Sequence, residues 1–296
     1  MTLDTLARHG ITIHEKNPER YEIPGGQSYR SGTFAVEGDY SQAAFWLVAG
    51  LSGKEIKLKG LSRASKQGDK AILSILSKMG GDISEENGTI SARPSKTRGT
   101  VIDAEDCPDL VPALAALAAV SEGTTEIIHA ARVRLKECDR LHAMAVELAK
   151  LGADIEEKPD GLLIRGRDRL TGGAVSSWND HRIAMALAVV SAKCSAPLTI
   201  EGAESVRKSY PTFWEDFKRV GGRLVTSDWG LEDIRLPYRH FERSEKSFLQ
   251  TDKRCMCESR NTYTKASFPC RFLCDTDRSA RGPSAALSMT TARNAI

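Results

Sequence analysis

No apolar run in this chain of 296 residues reaches the ~18 needed for a membrane-spanning helix, so no membrane partner is expected. Neither sign of charge is in excess. Lys and Arg number 42 against 39 Asp and Glu, a formal net charge of +3. So small a surplus exerts little pull on a phosphate backbone, and no nucleic-acid partner is expected. There is no Walker loop, no G-x-G-x-x-G fingerprint and no metal-ligating triad. No cofactor and no metal are therefore expected. The start carries no signal- or transit-peptide pattern, and a cytoplasmic location is the expectation.

Cysteines with ligand-like spacing are also lacking. Cys107, Cys138 and Cys194 lie far apart and read as reduced thiols. Cys255, Cys257, Cys270 and Cys274 make C-x-C and C-x3-C pairs, but the spacing matches no common zinc finger and no His accompanies them. Accidental composition is the preferred reading. From Leu231 onward the chain has 12 basic and 8 acidic residues and no sustained period of 2 or 3.6. Residues 229–296 read as a disordered tail, either natural or out-of-frame sequence joined to a real protein.

What is present is a repeat. Asp39, Asp109 and Asp180 stand at steps of 70 and 71 residues, and each opens an apolar run: 41–50, 110–120 and 183–191. Gly10, Gly80 and Gly152 interleave with them at steps of 70 and 72, each closing an amphipathic run and starting a β-like one. A period of this size must be recognised before any other assignment. Two helix types alternate. Leu141, Met144, Ala145, Leu148 and Ala149 fit one amphipathic face, as do Ala71, Ile72, Ile75, Leu76 and Met79. Residues 43–49 and 183–190 are apolar all round and must be buried on every side. Short β-like runs separate the helices; in them Lys57, Ser91 and Glu126 should face out and Ile56, Ile90 and Ile127 in. The unit is βαβαββ in an α/β fold, with sheets outside and buried helices inside.

Polar residues gather where the buried helices begin. Asp109 follows Cys107-Pro108 and precedes an apolar helix. It reads either as an N-cap or as a carboxylate held at a cleft to orient or deprotonate a hydroxyl. Lys136, Glu137 and Arg140 begin an amphipathic helix, where cations oppose the helix dipole and an anionic ligand would justify them. The plainer alternative is a solvated charged cap. His181 and Arg182 project from the turn after Asp180, itself a helix cap, and Arg207-Lys208 precede another turn. Asp39 has no basic partner nearby in sequence and reads as a cap. Lys136, Arg140, Arg182 and Lys208 beside Asp109 and Glu137 suit a small polyanion bearing phosphate and carboxylate, with acid–base work.

Six motifs occur in order: Gly25-Gly26-Gln27-Ser28-Tyr29, Gly38-Asp39-Tyr40-Ser41-Gln42-Ala43-Ala44-Phe45-Trp46, Gln67-Gly68-Asp69, Lys136-Glu137-Cys138-Asp139-Arg140, Asn179-Asp180-His181-Arg182-Ile183-Ala184-Met185 and Lys208-Ser209-Tyr210-Pro211. Over residues 3–225 the chain resembles the C-terminal half to two-thirds of the 5-enolpyruvylshikimate-3-phosphate synthase family, the 3-phosphoshikimate 1-carboxyvinyltransferases. The resemblance implies an inside-out α/β barrel, the enolpyruvyl transferase fold, truncated at its N-terminus. It implies transfer of the enolpyruvyl group from phosphoenolpyruvate to the 5-hydroxyl of shikimate 3-phosphate, with both molecules as partners. By the same resemblance Asp109 orients and deprotonates the hydroxyl, with Lys136 beside it. Glu137 protonates the methylene carbon, and Arg140 and Arg182 hold the phosphoenolpyruvate carboxylate. His181 lines the site, Lys208 lies by the departing phosphate as an acid, and Arg132 occupies a position that binds shikimate 3-phosphate.

The family implies residues 1–37 as the remnant of an N-terminal domain, 38–228 as the C-terminal domain and 229–296 as a tail outside the family. Its Lys-Ser pair, Asn-Gly-Thr loop and Ser-Ser-Gln loop have no counterpart here, so this polypeptide alone is expected to be inactive, with a separate N-terminal fragment as a candidate partner. Cys138 stands where serine or threonine is usual. The alternatives are an enolpyruvyl transferase for another acceptor and a non-catalytic remnant of the fold.

Overall fold

The structure, a computed structural model, describes residues 1–33, 35–226, 232–235 and 285–288, the last two segments and residue 226 by backbone alone. Cys255, Cys257, Cys270, Cys274 and most of the expected 229–296 tail lie outside the described residues. In chain order the elements begin with α1 (Thr2–Arg8), β1 (His14–Asn17) and β2 (Arg20–Glu22). Next come α2 (Tyr40–Ser52), β3 (Ile56–Lys59), α3 (Ile72–Lys78), β4 (Asp82–Glu86) and β5 (Thr89–Arg93). Then follow β6 (Val101–Asp103), α4 (Val111–Ala118), β7 (Thr124–Ile128), α5 (Arg140–Lys150), β8 (Asp154–Lys158) and β9 (Gly161–Arg165). Last are β10 (Gly173–Ser176), α6 (His181–Val190), β11 (Leu198–Glu201), α7 (Phe213–Arg219), β12 (Arg223–Thr226), β13 (Glu232–Arg235) and β14 (Ala285–Ser288).

The helices that are apolar all round are the inner ones. Every residue of α2, α4 and α6 is buried, and the three pack on one another. Their alanines keep the side chains short where helices meet: Ala43, Ala44, Ala113, Ala116, Ala184 and Ala188 are at 0% exposure. The amphipathic helices lie further out; α5 buries Leu141, Met144 and Leu148 and shows its other face to solvent. Dehydrating this much apolar surface is the main driving force for the arrangement.

The sheets repeat one design. Their strand orders are β6-β7-β9-β8, β10-β11-β13-β12 and β14-β3-β5-β4, and in each the first pair is parallel and the rest antiparallel. The βαβαββ unit is thus realised with helices inside and sheets outside. The sheets remain separate, and no closed barrel of strands forms among the described residues. The β10-β11-β13-β12 sheet includes β13, and the β14-β3-β5-β4 sheet includes β14, both from beyond the point where the composition changes. Ahead of α2, α1 buries no residue and β1 and β2 form an exposed antiparallel hairpin.

Ile56, Ile90 and Ile127 point inward as expected, at 3%, 2% and 1% exposure. Ser91 does not face water; it is 7% exposed. It sits on β5, flanked on both sides by β3 and β4 and opposite Lys57 and Ser84, so neighbouring side chains cover it. One aromatic staple ties the first unit to the third. Trp46 Nε1 donates to Tyr210 Oη at 3.1 Å, Tyr210 donates to Asp216 Oδ2 at 3.2 Å, and the Trp46 and Phe213 rings lie 5.1 Å apart.

The inner-helix core makes a direct prediction. Leu114→Ala on α4, at 0% exposure, should cost about 2–5 kcal/mol in chemical denaturation. Leu135→Ala, at 88% exposure, should leave the midpoint unchanged.

Candidate anion site at the inner-helix starts

Asp109 lies in a 3-10 turn, Pro108–Leu110, that leads into α4. Its side chain caps nothing, so of the two sequence readings the N-cap does not apply. The carboxylate accepts instead from Arg140 Nη1 at 2.9 Å and Arg182 Nη2 at 3.2 Å, and pairs with Lys136 Nζ at 3.3 Å. Asp39 and Asp180 do cap their helices, accepting from the backbone N–H of Ser41 and Arg182, each at 2.8 Å.

Arg140 is the centre of the cluster. Its side chain is 1% exposed. Nε donates to Asp180 Oδ2 at 2.7 Å, Nη1 to Asp109, and Nη2 to Glu137 Oε2. A guanidinium buried this deeply is tolerable only because its donors meet carboxylates. The cation at the start of α5 is thus balanced first by the protein's own carboxylates. Arg182, one residue into α6, reaches Asp109 and also donates to Ser41 Oγ at 3.0 Å. In this cluster two buried nitrogens have no hydrogen-bond partner among the described residues, Arg182 Nε and His181 Nδ1.

The charges follow from these contacts. Desolvation pushes the Asp109 carboxyl up, but Arg182, Arg140 and Lys136 outweigh it and hold its pKa below the ordinary value. Asp180 behaves alike: burial opposes ionisation, and hydrogen bonding from Arg140 with the Arg182 N–H overcomes it. His181 is pushed down by burial and then by Arg182, so its imidazole is neutral at neutral pH. Asp69, which closes the Gln67-Gly68-Asp69 motif, is raised to about 6 by burial and by the Asp109 charge. Burial and Asp180 push the Cys138 thiol to about 12, and its Sγ donates to Asp180 Oδ2 at 3.6 Å. It is a hydrogen-bond donor here and no nucleophile.

Five of the eight residues singled out in the sequence lie in this one cluster: Asp109, Lys136, Glu137, Arg140 and Arg182. His181 adjoins it, with Nδ1 3.8 Å from Glu137 Oε1. Lys208 stands one residue away from it; Nζ donates to the carbonyl of Asn179 at 2.5 Å. Arg132 is exposed on the 3-10 helix Ala131–Leu135 and makes no ion pair with the cluster among the described residues. Sequence reasoning missed Asp180 as a long-range partner of Arg140, 2.7 Å from its Nε. Its one signal was its place in register with Asp39 and Asp109.

Buried helices inside three outer sheets, with basic residues at the inner-helix starts gathered around a carboxylate, define the enolpyruvyl transferase class of fold. Two solved structures of EPSP synthase from Acinetobacter baumannii superpose on this chain. One gives a TM-score of 0.66 at 31% identity, covering 72% of this chain and 52% of its own. The other gives 0.64 at 28%, covering 78% and 54%. The family model for EPSP synthase (3-phosphoshikimate 1-carboxyvinyltransferase) matches residues 1–217. Curated 3-phosphoshikimate 1-carboxyvinyltransferases from Clostridium kluyveri and Clostridium acetobutylicum are each 53% identical over 231 residues, or 78% of this chain. The chain belongs to the EPSP synthase family. It spans about half the length of the curated relatives it matches, 54% and 53%.

Two predictions follow from the buried charges. Asp180→Ala leaves Arg140 buried with one carboxylate fewer and should cost about 3–5 kcal/mol in a denaturant melt. The same carboxylates set a pH dependence. Asp109 and Asp180 bind protons less readily folded than unfolded, so their contribution is complete above about pH 4 and is lost as pH falls further. Melting temperature should drop on acidification through that window, and Asp180→Asn should flatten the drop.

Proposed function

We propose that this chain supplies one side of an enolpyruvyl transfer site, with phosphoenolpyruvate and shikimate 3-phosphate as substrates. The observation carrying this reading is the shared carboxylate. Two buried arginines from the starts of α5 and α6 meet at Asp109, and Arg182 Nε beside them has no hydrogen-bond partner among the described residues. A substrate carboxylate would compete with Asp109 and Glu137 for these guanidinium faces and satisfy Arg182 Nε, in the two-pronged geometry arginine favours.

The chemistry assigned to the residues is as follows. The 5-hydroxyl oxygen of shikimate 3-phosphate bonds to C2 of phosphoenolpyruvate while C3 takes a proton. Loss of phosphate and of a C3 proton from the tetrahedral ketal then leaves the enol ether. Asp109, held ionised by its cations, orients the hydroxyl and takes its proton. Lys136, 3.3 Å away, stabilises the oxygen as it changes charge. Glu137 delivers the proton to C3, Arg140 and Arg182 hold the carboxylate, and neutral His181 lines the pocket. Lys208 protonates the leaving phosphate, and Arg132 contacts shikimate 3-phosphate from the rim.

No cofactor enters this scheme. Residues 38–228 form the C-terminal, catalytic domain and 1–37 the remnant of the N-terminal domain. The remaining half of the family's length would act in trans as a separate N-terminal fragment, without which turnover is low or absent. No helix among the described residues is long and apolar enough to cross a membrane. A cytoplasmic location belongs to the same proposal.

The test is reconstitution. The chain is mixed with the N-terminal half of the Clostridium kluyveri relative, and phosphate release from phosphoenolpyruvate is followed with and without shikimate 3-phosphate. Release dependent on the acceptor is expected, and Arg182→Glu should lower it by about 10²-fold or more. Acceptor-independent release, or wild-type turnover by Arg182→Glu, would remove Arg182 and this reading.

A further inference from the structure

Two consecutive residues just ahead of Asp180 hold left-handed backbone: Trp178 at φ 53° and Asn179 at φ 54°. Neither is glycine, so the conformation is disfavoured and persists only where neighbours impose it. The backbone N–H groups of the pair donate to the Ser176 and Ser177 hydroxyls at 3.1 and 3.2 Å, and α5 holds the segment from outside. Glu147 is 1% exposed, and its carboxylate accepts from Trp178 Nε1 at 2.7 Å and from the backbone N–H of Ser176 at 3.0 Å. Lys150 Nζ, 48% exposed, lies 2.9 Å from the same group and supplies the countercharge from the solvent side.

Glu147 is seven residues after Arg140, two turns along one face of α5. That face therefore grips the incoming segment at two points: Arg140 holds Asp180, and Glu147 holds Ser176 and Trp178. The Trp178 ring is further braced edge-on against His142 at 5.5 Å. Between the two grips lies the left-handed pair, and directly after it come His181 and Arg182. On the far side Lys208 Nζ donates to the Asn179 carbonyl.

We propose that Glu147 is a positioning residue for the anion site. It fixes the Trp178–Asn179 turn and so aims Arg182 Nε and His181, without itself touching substrate. This rests on the reading of the cluster as the phosphoenolpyruvate site.

The experiment uses the full chain and three variants: Glu147→Gln, Trp178→Phe and Lys150→Ala. Trp178→Phe removes the hydrogen bond to Glu147 and keeps a smaller aromatic ring, so it tests the claim even if Glu147→Gln does not fold. Phosphoenolpyruvate affinity is measured by calorimetry. In parallel, the Arg182 side-chain Nε–H resonance is recorded by NMR without ligand. Trp178→Phe and Glu147→Gln should weaken binding about tenfold or more and shift that resonance. Lys150→Ala, which leaves both grips in place, should change neither. In the reconstituted enzyme the KM for phosphoenolpyruvate should rise while that for shikimate 3-phosphate stays constant. An unmoved Arg182 resonance in Trp178→Phe overturns the positioning role whatever the binding result. Equal loss in Lys150→Ala also overturns it. A wild-type chain that binds no phosphoenolpyruvate sinks the functional reading instead, and the resonance then decides the role of Glu147 alone.

Discussion

The architecture around the site depends on one buried guanidinium. Arg140 joins three chain segments that are remote in sequence: the turn before α4 through Asp109, its own approach through Glu137, and the cap of α6 through Asp180. Buried Asp180 and half-buried Asp109 would be costly to bury without that cation, and the cation would be costlier still without its carboxylates. The result is a closed set of charges in which removal of any member leaves an uncompensated neighbour. Such a set does not add much net stability. What it adds is definition, because helix starts that could slide on an alanine-rich interface are held at fixed separations.

The same three helix starts show how a repeat becomes a site. Asp39 and Asp180 retain the local task of capping. Asp109, at the equivalent repeat position, has surrendered it, since Pro108 opens a 3-10 turn and the carboxylate is directed at cations from two other helices. Asp109 alone of the three makes no cap, while Asp180 keeps its cap and also accepts from Arg140. The asymmetry supports the assignment of Asp109 as the acid–base group. A capping carboxylate is committed to backbone N–H groups, whereas one held by side chains can exchange partners as charge moves.

Much of this was legible in the chain. The period near 70, the all-apolar runs and the β-like segments between them led to the βαβαββ unit and to helices inside sheets, because burial dictates hydrophobic pattern residue by residue. The clustering of Lys136, Glu137, Arg140 and Arg182 was legible through their common place at helix starts. The pairing itself was not. That Arg140 meets Asp180, 40 residues on, depends on how units pack, and periodicity carries no distance between helices. Ser91 was misread because its exposure depends on the strands beside it. Glu147 looked like an ordinary polar position on an amphipathic helix, and nothing in its neighbours pointed to Trp178. Nor could sequence distinguish Arg132, exposed and apart, from the basic residues that converge.

The central claim is that cations from separate inner-helix starts converge to hold a small acid. A crystal structure of this chain grown with phosphoenolpyruvate tests it most directly. The account predicts the ligand carboxylate within hydrogen-bond distance of Arg182 Nε and against Arg140, with Asp109 turned toward the acceptor side. Ligand density elsewhere, with Arg140 and Arg182 still wholly engaged by Asp109, Glu137 and Asp180, would contradict it.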